Sequence, residues 1–272
     1  LTATPPLTPE LIERLEAAIR HKGWDALRRA SELEGNPHGV TLYERGGLWA
    51  SMVRTLPELP WYNMVSELTQ HRLTELDEVL SVYQSERISP RLSVWATHLT
   101  PTLGAALFDR GFTPVGMGAT LYAAAEAPPP RTFAGVEVRE LEPGEDTATF
   151  NAVLLAGYGF TDLVQRALAI LENEGAGLRR FLACVDGQTA AAAALSVQNG
   201  VAYLAGAATL PEFRERGLQA ALIHCRLNAL TAECELVTVT TAFASGSQRN
   251  LERYGFRVAQ LKTFWSERKS LL

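Results

Sequence analysis

The chain has 272 residues, of which 47% are apolar and 20% charged, with a net charge of -5 at pH 7 and a pI near 5.6. At about 150 residues per domain, this length accommodates two domains. The apolar fraction excludes a mainly disordered chain, and the acidic balance argues against nucleic acid or an anionic membrane as partner, while leaving room for a local basic site for a small anion.

The first residues, Leu1 to Glu10, hold Pro5, Pro6 and Pro9 and lack the basic-then-apolar layout of a secretory signal. No apolar run approaches the ~20 residues of a membrane span, and the small-residue run Ala190 to Leu195 is far too short. In the first half, Leu56-Pro-Glu-Leu-Pro-Trp-Tyr-Asn63 reads as a Pro-rich loop that either packs on its own core or reaches a cleft. Leu76 to Gln84 predicts a helix, Leu92 to Thr97 a strand, Leu103 to Asp109 a helix, and Gly111-Phe112 the entry to a strand ending near Tyr122. His38, His71 and His98 show no metal-ligand spacing. The segment Glu126 to Gly135 carries Pro128, Pro129 and Pro130, and predicts an extended boundary between domains.

The second half follows a clear order. Val136 to Leu141 alternates apolar and charged residues, as a half-buried strand does. Helices are predicted over Pro143 to Gly157 and from Thr161 to about Glu174. Strands Phe181 to Val185, Thr189 to Val197 and Val201 to Leu210 are punctuated by Asp186-Gly187 and Asn199-Gly200, both hairpin signals. After a charged loop, Pro211 to Arg216, apolar residues at Leu218, Leu222, Cys225 and Ala229 predict a helix over Gly217 to Leu230. Leu236 to Phe243 reads as a strand, Ser247 as the cap of a short helix to Arg253, and Phe256 to Phe264 as a last strand. The order β-α-α-β-β-β-α-β-α-β gives an α/β or α+β domain with a mixed sheet. Cys184, Cys225 and Cys234 are odd in number and form no CxxC, which predicts neither a disulfide framework nor a zinc site and points to a reducing, cytoplasmic setting.

An offset of 144 positions lays the end of the first half on the end of the second. Leu92 meets Leu236, Thr97 meets Thr241, Leu107 meets Leu251, and Gly111-Phe112 meets Gly255-Phe256. The shared order of strand, helix, Gly-Phe and strand predicts an internal duplication.

The sharpest local feature is Thr209-Leu-Pro-Glu-Phe-Arg-Glu-Arg-Gly-Leu-Gln-Ala220, between an apolar strand and an amphipathic helix. A helix start offers unpaired N–H groups and the positive end of the dipole, which suit a phosphate. Gly217 allows close backbone approach, and Arg214 and Arg216 add charge. From spacing alone the segment is either such an anion site or an ordinary strand-to-helix turn with solvated arginines. No Gly-Lys-Ser/Thr follows, so it is not a Walker loop.

Arg214-Glu215-Arg216-Gly217-Leu218-Gln219-Ala220 resembles the acyl-CoA pyrophosphate loop of the GNAT superfamily of acetyltransferases, whose pattern is Gln/Arg-x-x-Gly-x-Gly/Ala. Gln219 stands where the usual residue is small. Ser247-Gln-Arg-Asn-Leu-Glu-Arg-Tyr-Gly-Phe256 resembles that family's later Asn…Gly-Phe segment. The resemblance covers Val136 to about Ser266 in the right strand order. It implies an α/β (α+β) chain of two GNAT-like domains, each a mixed, mostly antiparallel sheet flanked by helices. Residues 1–127 would be a degenerate copy, 128–135 a Pro-rich linker and 136–272 the acetyl-CoA-binding domain. It further implies a sheet that splays beside Val201–Leu210, with the pantetheine arm of CoA along Ala208, Thr209 and Leu210. The pyrophosphate would rest on amides from Arg214 to Ala220, and Asn250 would contact the cofactor arm.

The implied activity is N-acyl transfer, from acetyl-CoA to an amine of a small molecule or peptide, by direct attack. Tyr158 and Phe160 sit where the family builds its acceptor pocket. The family's proton-transfer residues do not carry over: Val201 to Leu210 has no carboxylate, and Leu251 occupies the usual Tyr position. Tyr203, Tyr158, Glu212 and bound water are the substitutes to weigh. A non-catalytic CoA-binding sensor or scaffold is the alternative. The first half has no counterpart of the loop, because the offset places Gln70 to Leu76, without glycine, on Arg214 to Ala220.

Overall fold

A computed structural model describes residues 4–145, 147–175, 177–230, 232 and 234–268. In chain order the first elements are α1 (Pro9–Ser31), β1 (Val40–Arg45), β2 (Leu48–Val53), β3 (Met64–Ser66), α2 (Leu73–Ser85), β4 (Arg91–Trp95), α3 (Pro101–Asp109) and β5 (Phe112–Ala124). They are followed by β6 (Val136–Glu140), α4 (Ala148–Tyr158), α5 (Leu163–Glu172), β7 (Arg179–Val185), β8 (Gln188–Gln198), β9 (Val201–Tyr203) and β10 (Ala207–Thr209). The last elements are α6 (Leu218–Asn228), β11 (Leu236–Ala242), α7 (Gly246–Glu252) and β12 (Arg257–Glu267). Among the described residues no helix is long and apolar enough to cross a membrane.

Local chemistry sets many of these boundaries. Thr100 accepts the Leu103 amide at 3.1 Å and Pro101 opens α3, while Asp162 accepts the Gln165 amide at 2.8 Å to start α5. Both hairpin signals are two-residue turns with left-handed backbones: Asp186 and Gly187 join β7 to β8, and Asn199 and Gly200 join β8 to β9. Two predicted starts move. The Pro143–Gly144 stretch is a turn, so α4 begins only at Ala148. Ser245, not Ser247, caps α7, accepting the Gln248 amide at 3.2 Å.

The chain divides into two compact units, Leu1–Ala26 with Leu121–Ala259, and Leu27–Thr120 with Gln260–Leu272. The Pro-rich segment expected as a linker, 128–135, therefore falls inside the first-named unit rather than between the two. Two packing choices account for this. The apolar stripe Leu11, Leu15 and Ala18 of α1 is buried with Tyr122, Val201 and Leu236. At the other end of the chain, β12 pairs antiparallel with β4, from Lys262↔Trp95 to Trp265↔Leu92.

The unit built on Leu27–Thr120 carries the strand order β1-β2-β3-β4-β12, continuing into β5. Its core holds Met52, Leu76, Tyr83, Leu92, Leu103 and Phe112. The Pro-rich loop Leu56–Asn63 is fixed by its own last residue. Asn63 is fully buried; its Oδ1 accepts the Val53 amide at 2.9 Å, and its Nδ2 donates to Leu56 O at 2.7 Å and Leu59 O at 3.1 Å. We expect Asn63→Ala to lower stability by about 2–4 kcal/mol, since buried backbone groups lose their partners. Urea unfolding followed by tryptophan fluorescence checks this, and a shift under about 0.5 kcal/mol, the range of an ordinary surface substitution, would contradict it.

The other unit carries the end of β5, then β11-β9-β8-β7-β6, with β10 attached to β8. β9 and β11 run parallel, and the β6-β7-β8-β9 meander is antiparallel. The six-residue run Ala190–Leu195 lies in β8 and is fully buried. The offset of 144 positions pairs like with like: β4, α3, left-handed Gly111 and β5 correspond to β11, α7, left-handed Gly255 and β12.

Candidate functional site

The strand predicted over Val201–Leu210 is broken, and the break creates the site. β9 pairs with β8 on one side (Ser196↔Tyr203 to Gln198↔Val201) and with β11 on the other (Leu236↔Val201 to Thr238↔Tyr203). The Leu204 amide makes one further bond to Thr238 O, at 2.9 Å. The chain then bulges at Ala205–Gly206, where the Ala194 amide is shared between Ala205 O at 3.2 Å and Gly206 O at 2.9 Å. β10 resumes along β8 (Ala207↔Ala193 to Thr209↔Ala191) but no longer beside β11. The sheet opens there.

A buried arginine holds this bulge. Arg226 of α6 is 2% exposed and has no carboxylate partner among the described residues. Its Nη1 donates to Ala194 O at 3.0 Å and Ala205 O at 3.3 Å, and its Nε donates to Leu222 O at 3.1 Å. Desolvation pulls its pKa down to about 10, so the guanidinium is still charged at neutral pH.

A cleft of about 680 Å³ begins at β10 and runs to the start of α6 and the face of α7. That volume lies in the range of about 300–1,000 Å³ common to small-molecule sites. Ala208 and Thr209 form its strand wall, and Arg214, Glu215, Gly217, Leu218, Gln219 and Ala220 its floor. Asn250 lines the far side with Ser247 and Arg253. Two predicted residues are not among its lining: Leu210 packs against the core beneath α4, and Arg216 lies over the ring of Phe213, itself a lining residue, at 5.6 Å.

The floor ends at an open helix start. Gly217 is the N-cap of α6 at φ 79°, and no side chain caps the helix. The first intrahelical bond is Ala221 N to Gly217 O, which leaves the amides of Leu218, Gln219 and Ala220 directed out of the helix start. A Cβ on Gly217 would meet nothing within 4 Å, so it would project into open space. Gln219, which departs from the family pattern, has its own use: its Nε2 donates to Ser247 Oγ at 2.8 Å and its Oε1 accepts from Asn250 Nδ2 at 2.7 Å. Arg253 Nη1 in turn donates to Asn250 Oδ1 at 2.6 Å. The loop is thus tied to α7 across one row of hydrogen bonds.

Sequence reasoning missed the approach of α4. A Cβ on Gly157 would come 2.7 Å from Ala208 Cβ and 3.3 Å from the Thr209 backbone, so only glycine lets the end of α4 touch β10. Arg214 Nη2 donates to Gly157 O at 3.3 Å, and the Ala207 amide donates to Tyr158 Oη at 2.9 Å. Tyr158 stacks on Phe160, with centroids 5.2 Å apart. The isolated glycine late in a helical pattern was the available signal.

No protein-family model and no curated protein matches the sequence. Solved structures do match the fold. A GCN5-related N-acetyltransferase from Kribbella flavida superposes with a TM-score of 0.61 at 19% identity, covering 89% of this chain and 95% of that one. One from Sphaerobacter thermophilus gives 0.61 at 14% identity, with 97% and 94% covered. A tandem GNAT protein from the clavulanic acid biosynthesis pathway gives 0.56 at 13%, with 89% and 87% covered. The fold is that of the GNAT superfamily.

Around the tyrosine position that the resemblance names, the side chains have other partners. Leu251 is buried at 2% exposure. Tyr254 turns its hydroxyl away to donate to Ala220 O at 2.9 Å, bracing the helix start. Tyr203 Oη pairs with Thr240 Oγ1 at 3.2 Å and does not line the cleft. Of the tyrosines considered, Tyr158 alone lies on its wall.

The turn before α2 in the other unit has no glycine. Arg72, the N-cap of α2, donates to Gly47 O at 2.9 Å and to Glu67 O.

Proposed function

We propose that the protein is an acetyl-CoA-dependent N-acetyltransferase acting on an amine of a small molecule or peptide. The observation that carries the reading is the uncapped, glycine-led start of α6 opening into the cleft where β10 leaves β11. Backbone amides of Leu218, Gln219 and Ala220 would hold the diphosphate of CoA, with Arg214 and Arg253 supplying positive charge. Ala208 and Thr209 offer strand backbone to the pantetheine arm. When bound, acetyl-CoA would supply a thioester carbonyl for attack by a neutral amine: the C–N bond would form as the C–S bond breaks, the sulfur would leave with the bonding pair, and the proton lost by the nitrogen would pass through water to the sulfur, giving an amide and free CoA thiol. Residues 1–127 are read as a degenerate copy, a reading supported by the lack of glycine from Gln70 to Leu76.

Incubation with acetyl-CoA and a broad amine panel, followed by free-thiol release and product mass, tests this. Release with one class of amine, and a mass gain of one acetyl group on it, is expected. The absence of a carboxylate on Val201–Leu210 favours a second reading, a CoA-binding sensor without turnover. Tight CoA binding with no thiol release across the panel would select it. Arg214→Ala is expected to weaken CoA binding by about 1–3 kcal/mol, through loss of a charge-assisted contact and of the tether to Gly157. Unchanged affinity by calorimetry would remove Arg214 from the site.

A further inference from the structure

Resting on the reading of the cleft as an acetyl-CoA site, we propose that Tyr158 is a catalytic residue whose hydroxyl donates a hydrogen bond to the thioester carbonyl oxygen. Three observations lead there. The first is position: Tyr158 lines the cleft at the point where β10 parts from β11, beside Ala207 and Ala208. The second is an unused proton. Tyr158 Oη accepts from the Ala207 amide at 2.9 Å, and among the described residues no acceptor takes its own O–H. The third is rigidity. The ring is held by stacking on Phe160, and the chain is locked by the contact of Gly157 with β10 and by left-handed Gly159 at φ 71°.

A donor that is itself hydrogen-bonded as an acceptor is polarised, so the chain Ala207 N–H to Tyr158 O–H to carbonyl oxygen strengthens its last link. Negative charge grows on that oxygen as the amine attacks, and a pre-positioned donor lowers the barrier without reorganisation. Desolvation of the hydroxyl pushes its pKa up to about 12, which keeps it protonated at working pH even though the residue as a whole is 44% exposed. The role is hydrogen-bond donation only; the phenol keeps its proton throughout.

The test is infrared difference spectroscopy of the protein bound to acetyl-CoA that is isotope-labelled at the thioester carbonyl. The carbonyl band is expected at lower wavenumber in the wild type than in Tyr158→Phe, which keeps the ring stack and loses only the hydroxyl. Incorporation of 3-fluorotyrosine at position 158, a stronger donor, is expected to lower the band further, and this arm decides the matter should the Phe variant fold poorly. With an amine accepted by the wild type, Tyr158→Phe is expected to reduce kcat roughly 100-fold with little change in KM for acetyl-CoA. Calorimetry separates the two levels of the reading. If wild-type protein does not bind CoA, the cleft assignment and the proposal fall together. If wild type and variants bind alike and their carbonyl bands coincide, the role of Tyr158 alone is overturned.

Discussion

Gly217→Glu is expected to abolish CoA binding, with a loss of at least about 100-fold, or some 2.7 kcal/mol. Gly217 sits at φ 79° as the N-cap of α6, and its missing side chain leaves open space beside the amides of Leu218, Gln219 and Ala220. A glutamate there would place its own carboxylate against the helix start, capping it from within and repelling a diphosphate. The left-handed backbone adds about 1–2 kcal/mol of strain, little enough for the fold to survive. Gly217→Ala separates the causes: it carries the same strain and a methyl group but no charge, so its binding loss should be much smaller. Calorimetry with CoA, together with a far-ultraviolet dichroism spectrum, checks both. Wild-type affinity in Gly217→Glu would refute the anion site.

Arg226→Met is expected to be the most destabilising single change near the site, by about 2–4 kcal/mol. The guanidinium is 2% exposed and bridges carbonyls of β8, the bulge and α6. Methionine matches its length and apolar stem but donates nothing, which leaves buried carbonyls with lost partners. The bulge at Ala205–Gly206 would then relax toward a regular strand and close the opening beside β11. Weaker CoA binding should therefore accompany the lower stability. Urea denaturation read against CoA affinity tests the pairing. A variant as stable as the wild type, or one that is destabilised yet binds CoA equally well, would show that the arginine does not hold the opening.

Much of the fold is legible in the sequence. Asp186-Gly187 and Asn199-Gly200 dictate two-residue turns because both positions need positive φ, and they set the registers of β7, β8 and β9. The open start of α6 was readable too, since Gly217 follows an apolar strand and a short charged loop and precedes a helical pattern. The bulge was not. Val201 to Leu210 is uniformly apolar or small, and nothing local marks Leu204–Gly206 as a break except Gly206; the cause is Arg226, twenty residues away in sequence, binding two strand carbonyls. The placement of α1 was missed for a related reason. Leu11, Leu15 and Ala18 show the spacing of a helix, but their partners Tyr122, Val201 and Leu236 lie over one hundred positions along the chain. Likewise, Leu210 belongs to the core because its amide bonds Ala190 O at 2.9 Å and keeps it on β8, a tertiary fact that strand periodicity alone does not reveal.

Co-crystallisation with CoA tests the central claim most directly. The expected result is density for the diphosphate against the amides from Gly217 to Ala220, with the thiol end reaching Ala207 and Tyr158. A cleft without CoA at saturating concentration, or CoA bound elsewhere on the molecule, would contradict it.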